Sequence, residues 1–314
     1  MRLIEAINEA LHARMGLDPR FHVIGEDIAD PYGGAFKATR GLSDAFNGEG
    51  AERVLSAPIS EAAIVGFATG MALKGRPACA EIMFGDFIAL AFDQLVNHAS
   101  KLPWVYDGRI EVPLTVRAPM GGKRGYGSTH SQSLEKHLCG VPGLSVHAVS
   151  EFTDVAALYA RCFDAPTPSV LIENKVIYAR RLEDAALLAP HAQPDLAIVT
   201  YGGSVGLCRD AAVRLRDEDE VAANVVAVER LSPFDHSDVR RRVGPCGAVL
   251  VVEEGTPDWN FASEVARALM NGTQRKFDAL CGPAHPIPSA RGWELALLPD
   301  ADAVHAAACR LLEA

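Results

Sequence analysis

No two cysteines in this chain have the C-x-x-C spacing of a zinc or redox site. The seven present, Cys79, Cys139, Cys162, Cys208, Cys246, Cys281 and Cys309, are scattered and odd in number. Neither a disulfide framework nor a zinc site is suggested, and a reducing, cytoplasmic setting is expected. No uncharged run approaches the ~20 residues of a membrane span, and "MRLIEAINEALHARMG" reads as an amphipathic helix rather than a signal peptide. A basic stripe is also missing: the net charge of −10 is spread along the chain. That argues against nucleic acid and anionic membranes as partners. G-x-S-x-G, H-E-x-x-H, clustered aspartates at metal-ligand spacing, short-period repeats and low-complexity tracts are all absent.

What is present is the composition of an ordinary globular protein, 49% hydrophobic over 314 residues, enough for two domains. Apolar strand-like runs ("HVIGED", "RVLSAPI", "RPACAEIM", "LTVRAPM", "LSVHAV", "PSVLIENK") alternate with helical patterns near 2–17, 60–74, 86–101 and 152–164. The alternation restarts with "LAIVTYG", "ANVVAVER", "GAVLVVEEG" and "QRKFDAL", with helices near 203–217, 235–243, 260–271 and 301–313. This rhythm predicts an α/β fold of two three-layer domains with mostly parallel sheets. The expected boundaries are 1–183 and 195–314, with a linker over 184–194.

Three stretches could carry chemistry. In "LSAPISEAAIVGFATGMALKG", Ser60 fits an N-cap and Glu61 a first-turn acid welcomed by the helix dipole. The helix that follows is apolar all round, with Ala62, Gly66 and Gly70 in register, so it is expected to be buried against a neighbour. An acid at its mouth would then sit away from water, with a raised pKa suited to proton exchange. In "EIMFGDFIALAFDQLVNHASK", Met83 and Phe87 follow a strand's carboxyl end, where α/β proteins bind ligands; they read either as core or as a stacking surface. Asp93, Gln94 and Asn97 read as loop fasteners. The glycine-rich "APMGGKRGYGSTHSQS" delivers His130, either a satisfied loop histidine or a proton donor and acceptor. Glu253 and Glu254 read as a solvated or interface edge.

Together with "VIGEDIADPYGGAFKATRGLSDAF", "ERVLSAPISE", "FDQLVNHASK", "THSQS", "LSPFD" and "PIPSARGWELALLP", these pieces resemble, nearly end to end, the beta subunit of thiamin diphosphate-dependent 2-oxo acid dehydrogenases. The resemblance implies a pyrimidine-binding domain followed by a transketolase-type C-terminal domain, working with an alpha subunit as an α2β2 heterotetramer and possessing a lipoyl acyltransferase as a further partner. It implies that Glu61 shares a proton with the cofactor's aminopyrimidine. Met83 and Phe87 then line that ring's pocket, and His130 assists decarboxylation and lipoyl acylation. The family's Mg²⁺-diphosphate signature, a G-D-G followed by an asparagine, is missing here, so Mg²⁺ and the diphosphate are expected on the alpha subunit. No metal ligand is expected in this chain, K⁺ included, because Ala165 stands where an aspartate often stands. Other readings are half of a split transketolase-like or acyloin-forming carboligase, or a non-catalytic stabilising subunit.

Overall fold

The computed structural model describes residues 1–48, 50, 52–269 and 274–314. In chain order the strands are β1 (His22–Glu26), β2 (Val54–Ala57), β3 (Ala78–Glu81), β4 (Leu114–Met120), β5 (Ser145–Val149), β6 (Ser169–Asn174), β7 (Leu196–Thr200), β8 (Ala223–Ala227), β9 (Arg230–Ser232), β10 (Ala248–Val252) and β11 (Lys276–Leu280). The helices are α1 (Leu3–Leu17), α2 (Leu42–Phe46), α3 (Glu61–Leu73), α4 (Leu102–Val105), α5 (Val155–Asp164), α6 (Val205–Asp219), α7 (His236–Val243), α8 (Phe261–Leu269), α9 (Arg291–Leu297) and α10 (Ala301–Glu313). Residues 270–271, expected at the end of the helix near 260, lie outside the described residues.

The strands form two sheets, ordered β2-β1-β3-β4-β6-β5-β9 and β11-β10-β7-β8. All pairings are parallel except β5 with β9, so residues 230–232, far along the chain, close one edge of the first sheet. Helices cover the sheets, which explains why β1, β3, β4, β7 and β10 are buried along their whole length and read as continuous apolar runs. The expected α/β architecture with parallel sheets is what the structure has. α1 illustrates the local rule: Leu3, Ile7, Leu11 and Met15 recur every fourth residue and form its buried stripe.

Two local expectations change. The helix expected over 86–101 breaks into a 3-10 stretch, Gly85–Ala91, and a π-helical stretch, Gln94–Ala99. There Asn97 and Gln94 donate to Asp93 at 2.7 and 3.1 Å, so these three residues tie their own exposed turn and fasten no loop. α3 is not enclosed on all sides either. Its Ile64, Val65 and Ala68 are buried, but Phe67 is 58% exposed, Gly70 faces open space, and Ile59 just ahead of the helix is 85% exposed. An apolar face without a partner inside this chain explains the all-round hydrophobicity as well as enclosure would have done.

The centre of the first sheet holds a charge. Arg117 on β4 is fully buried and donates to both oxygens of Glu173 on β6, from Nε at 2.9 Å and from an Nη at 2.6 Å, and to Glu81 on β3. Tyr159 of α5 and Tyr178 also donate to Glu173. Desolvation opposes the guanidinium's charge, but Glu173 and Glu81 hold its pKa above the ordinary value; burial pushes the Glu81 carboxyl up. The loop after β1 packs onto the same group: Gly34 sits at φ +79°, and a Cβ there would lie 2.9 Å from Glu81 Oε1. Removing one member of a buried ionic cluster strands the others without compensation. Arg117→Met should therefore lower unfolding free energy by about 3–5 kcal/mol in urea titrations followed by far-UV circular dichroism; a loss below about 1 kcal/mol, the usual worth of an exposed pair, would contradict the role assigned to it.

Candidate active site

The parallel strands of the first sheet deliver their carboxyl ends to one edge, the usual ligand edge of α/β folds. β1 ends in Glu26. β2 leads into α3, whose N-cap is Ser60, its hydroxyl accepting from Ala63 N at 3.4 Å, and whose first residue is Glu61. β3 ends at Glu81 and is followed by Met83, Phe84 and Phe87. β4 ends at Met120 and runs into the loop that carries His130.

Glu61 and Glu26 are both 4% exposed. They lie close enough for the charge of one to act on the other. The Glu26 carboxyl is pushed up to about 7, first by desolvation and then by the charge of Glu61, with the charges of Asp27 and Glu81 acting in the same direction. Glu26 Oε1 is buried with no partner. The expectation of a water-poor acid at the mouth of α3 is met in Glu61's burial, and a second buried acid, Glu26, which sequence reasoning had passed over, shares the site.

An aromatic cluster follows β3 at the same sheet edge. The His130 ring meets Phe84 at 4.7 Å and Phe87 at 5.0 Å between centroids, both edge to face, and Phe84 also touches Phe36 and Tyr126. The rings of Phe87 and His130, both candidate site residues in the sequence, are thus brought together, with Phe84 packed against both. Met83 is half-buried two residues beyond β3. α3 packs against the Gly85–Ala91 turn, so the helix bearing Glu61 and the segment bearing Phe87 form one unit. His130 is half-buried, and Thr129 Oγ1 lies 2.9 Å from its Nδ1.

The loop's glycines have a conformational cause. Gly121, Lys123, Gly125 and Gly127 all have positive φ, and a Cβ at Gly121 would come within 2.3 Å of Asn174 Nδ2. Carboxylates from the second half of the chain grip this loop. Buried Glu294 on α9 accepts from Lys123 N at 2.8 Å and Gly125 N at 2.6 Å, while Glu254 accepts from Gly122 N and from Asn174 Nδ2. Asp86 holds the far side, its Oδ1 accepting from Gln132 N and Nε2, both at 3.0 Å. Behind Phe84 lies Lys175, wholly buried, its ammonium pushed down to about 8 by desolvation. Glu253 is buried too, accepting from Phe261 N and Ala262 N at the start of α8, so the strand end carrying it is an internal interface and not a solvated edge.

A flat heteroaromatic ring fits this edge. Phe84 and Phe87 offer apolar faces, and the orphaned Glu26 oxygen beside Glu61 offers a proton reservoir for a ring nitrogen. Among the described residues, the tight grouping of His, Cys and carboxylate ligands is Asp219, His305 and Cys309, in the other half of the chain. A cleft of about 750 Å³ between the two halves, lined in part by Glu135, Tyr201, Phe234, Glu253 and Trp259, includes none of Glu61, Met83, Phe87 or His130.

Comparison with known proteins shows the family. Residues 1–180 match the transketolase pyrimidine binding domain and residues 185–304 the transketolase C-terminal domain. The chain is 33% identical to the 2-oxoisovalerate dehydrogenase subunit beta of Bacillus subtilis, covering 100% of this chain and 99% of that one. It is 32% identical to the acetoin:2,6-dichlorophenolindophenol oxidoreductase subunit beta of Cupriavidus necator, over 98% and 96%. It is 30% identical to the mitochondrial pyruvate dehydrogenase E1 component subunit beta-1 of Arabidopsis thaliana, over 95% and 86%. In fold it is similar to a split-gene transketolase solved as an inactive beta4 tetramer, with TM-score 0.76, 20% identity, and coverage of 98% and 97%.

The acid pair has a pH signature. With a carboxyl raised from 4.5 to about 7, the folded protein keeps a proton that the unfolded chain releases. Glu26 therefore subtracts stability progressively from pH 4.5 to pH 7 and fully above. Glu26→Gln should stabilise the chain by about 1–2 kcal/mol more at pH 8 than at pH 5, a figure already reduced for solvent access at the sheet edge. Thermal unfolding at the two pH values measures it, and an equal shift at both would contradict the buried pair.

Proposed function

Because this chain belongs to the transketolase-like beta subunits of the 2-oxo acid dehydrogenases, we propose that it is the pyrimidine-binding half of a thiamin diphosphate-dependent active site. With an alpha subunit it decarboxylates a 2-oxo acid and transfers the acyl group to a lipoyl acceptor. The observation that carries this reading is that the carboxyl edge of the first sheet bears both the buried Glu26–Glu61 pair and, on a segment packed against the helix that starts at Glu61, the Phe84–Phe87–His130 cluster.

Thiamin diphosphate, when bound, supplies the carbon nucleophile that attacks the 2-oxo group. The chain's own residues prepare the ring and move protons. Glu61 exchanges a proton with a nitrogen of the aminopyrimidine, and Glu26, near neutrality in its own ionisation, keeps a second proton within reach. Phe87 holds the ring by stacking and Met83 bounds its pocket, with Phe84 backing both the stack and His130. His130 stands on a loop clamped by Glu294, Glu254 and Asp86, a rigid mount for a group that hands a proton to a lipoyl sulfur.

The diphosphate and Mg²⁺ belong to the alpha subunit in this proposal, since Mg²⁺ demands several oxygen ligands and the acids at this edge are committed to the ring. The exposed apolar residues around α3, Ile59 and Phe67 among them, fit burial against other subunits of an α2β2 assembly. Residues 1–183 act as the ring-binding unit and 195–314 as the unit that steadies the His130 loop, joined by 184–194. A reducing cytoplasm suits seven free cysteines. Acyloin cleavage by the same half-site is the second reading, favoured by the similarity to the acetoin oxidoreductase subunit; the products formed from 2-oxo acids and from acetoin distinguish them.

Glu61→Gln in the chain paired with its alpha subunit should lower dye-coupled 2-oxo acid decarboxylation by about 10²–10⁴-fold with assembly intact; an unchanged rate would overturn the assigned role. His130→Ala should depress lipoyl acylation by at least about tenfold more than it weakens cofactor binding. Equal losses would make His130 a packing residue.

A further inference from the structure

We propose that Asp219, His305 and Cys309 form a Zn²⁺ site that ties the end of α6 to α10. His305 and Cys309 are four residues apart on α10 and so project from the same face. Asp219 is the last residue of α6, which packs along α10. His305 Nε2 lies 2.7 Å from Asp219 Oδ2 and 3.9 Å from Cys309 Sγ, and the three ligand atoms lie within 4.8 Å of one another.

The arrangement converges on one point. In a nucleophile relay a histidine joins thiol and carboxylate through opposite ring nitrogens. Here the same nitrogen, Nε2, faces both the carboxylate and the sulfur. Tetrahedral Zn²⁺ with bonds of 2.0–2.3 Å separates its ligands by about 3.2–3.8 Å. The nitrogen–sulfur distance already approaches that range, and the nitrogen–oxygen pair needs to open by about half an ångström. A thiolate, an imidazole and a carboxylate with a fourth position left to water is a donor set suited to zinc.

The surrounding charge agrees. Asp217, Glu218, Asp219 and Glu220 crowd the carboxyl end of α6, where the helix dipole disfavours anions. Asp217 pairs with Arg216, and Glu218 shares Arg214 with Asp302, while Asp219 is paired with His305. Glu313, one further turn along the same face of α10, adds negative potential at the thiol, partly offset by Arg214. His305 is only 13% exposed at its side chain, so the ring is already held in place before a metal arrives. Binding displaces the thiol proton to solvent and leaves a zinc thiolate with a neutral imidazole. The site shares no residue with the Glu61 edge, so its effect is on the stability of the C-terminal unit.

The test uses the full-length chain, stripped with chelator and titrated with ZnCl₂, with CoCl₂ as a spectroscopic probe. Wild type should retain one zinc per chain after desalting, show a thiolate-to-cobalt charge-transfer band, and gain thermal stability with zinc. His305→Ala and Cys309→Ser should each weaken zinc by at least about tenfold and abolish that gain. A second measurement needs no variant: zinc should slow alkylation of Cys309, read by peptide mass spectrometry, and leave the other cysteines unaffected. Retention of no zinc by wild type, retention unchanged in the variants, or alkylation of Cys309 unaffected by zinc would each overturn the proposal.

Discussion

A single guanidinium organises the first sheet. Arg117 joins β3, β4 and β6 through Glu81 and Glu173, and the two tyrosines on Glu173 bring in α5 and the segment after β6. The carboxyl ends of these strands carry Met83, Phe84 and Phe87, the His130 loop, and Lys175. Their relative placement therefore rests on ionic contacts made where water cannot compete. Leucines in place of these three charged side chains would not dictate register, because dispersion has no direction and charge-assisted hydrogen bonds do.

The second constraint is the division of labour between the halves of the chain. The first half supplies acids and aromatics; the second half supplies carboxylates that hold backbone N–H groups of the His130 loop. Glu294 accepts two of them from a stretch forced into left-handed conformations, so the loop's shape is set by a residue on a distant helix. A loop with that many positive φ angles would sample many states in isolation. Clamping it converts glycine-rich chain into a fixed mount for an imidazole.

Much of this was legible in the sequence. The two parallel sheets follow from alternating apolar runs and helical periods, and the Ser60 cap with Glu61 follows from a polar pair opening an apolar helix. His130 and Phe87 were found as members of a family signature, and the structure brings their rings together. Glu26 was missed because "HVIGED" looks like any strand end; its meaning comes from Glu61, which is distant in sequence and adjacent only after folding. Arg117 left one signal, a lone cation inside the apolar "LTVRAPM", which was read as part of the strand. The exposed face of α3 was misjudged because period and hydropathy report that a surface is covered without saying whether its own chain covers it. The π-helical turn at Gln94–Ala99 has no sequence pattern that separates it from an α-helix.

In the proposed function Glu61, sheltered with Glu26, is the proton partner of the cofactor's pyrimidine. The most direct measurement is an experimental structure of this chain assembled with its alpha subunit, thiamin diphosphate and Mg²⁺. The expected result is a Glu61 carboxylate oxygen within about 2.6–3.2 Å of a pyrimidine nitrogen, with Phe87 against the ring face and the diphosphate on the other subunit. A pyrimidine ring bound away from Glu61, or a diphosphate held by this chain alone, would contradict it.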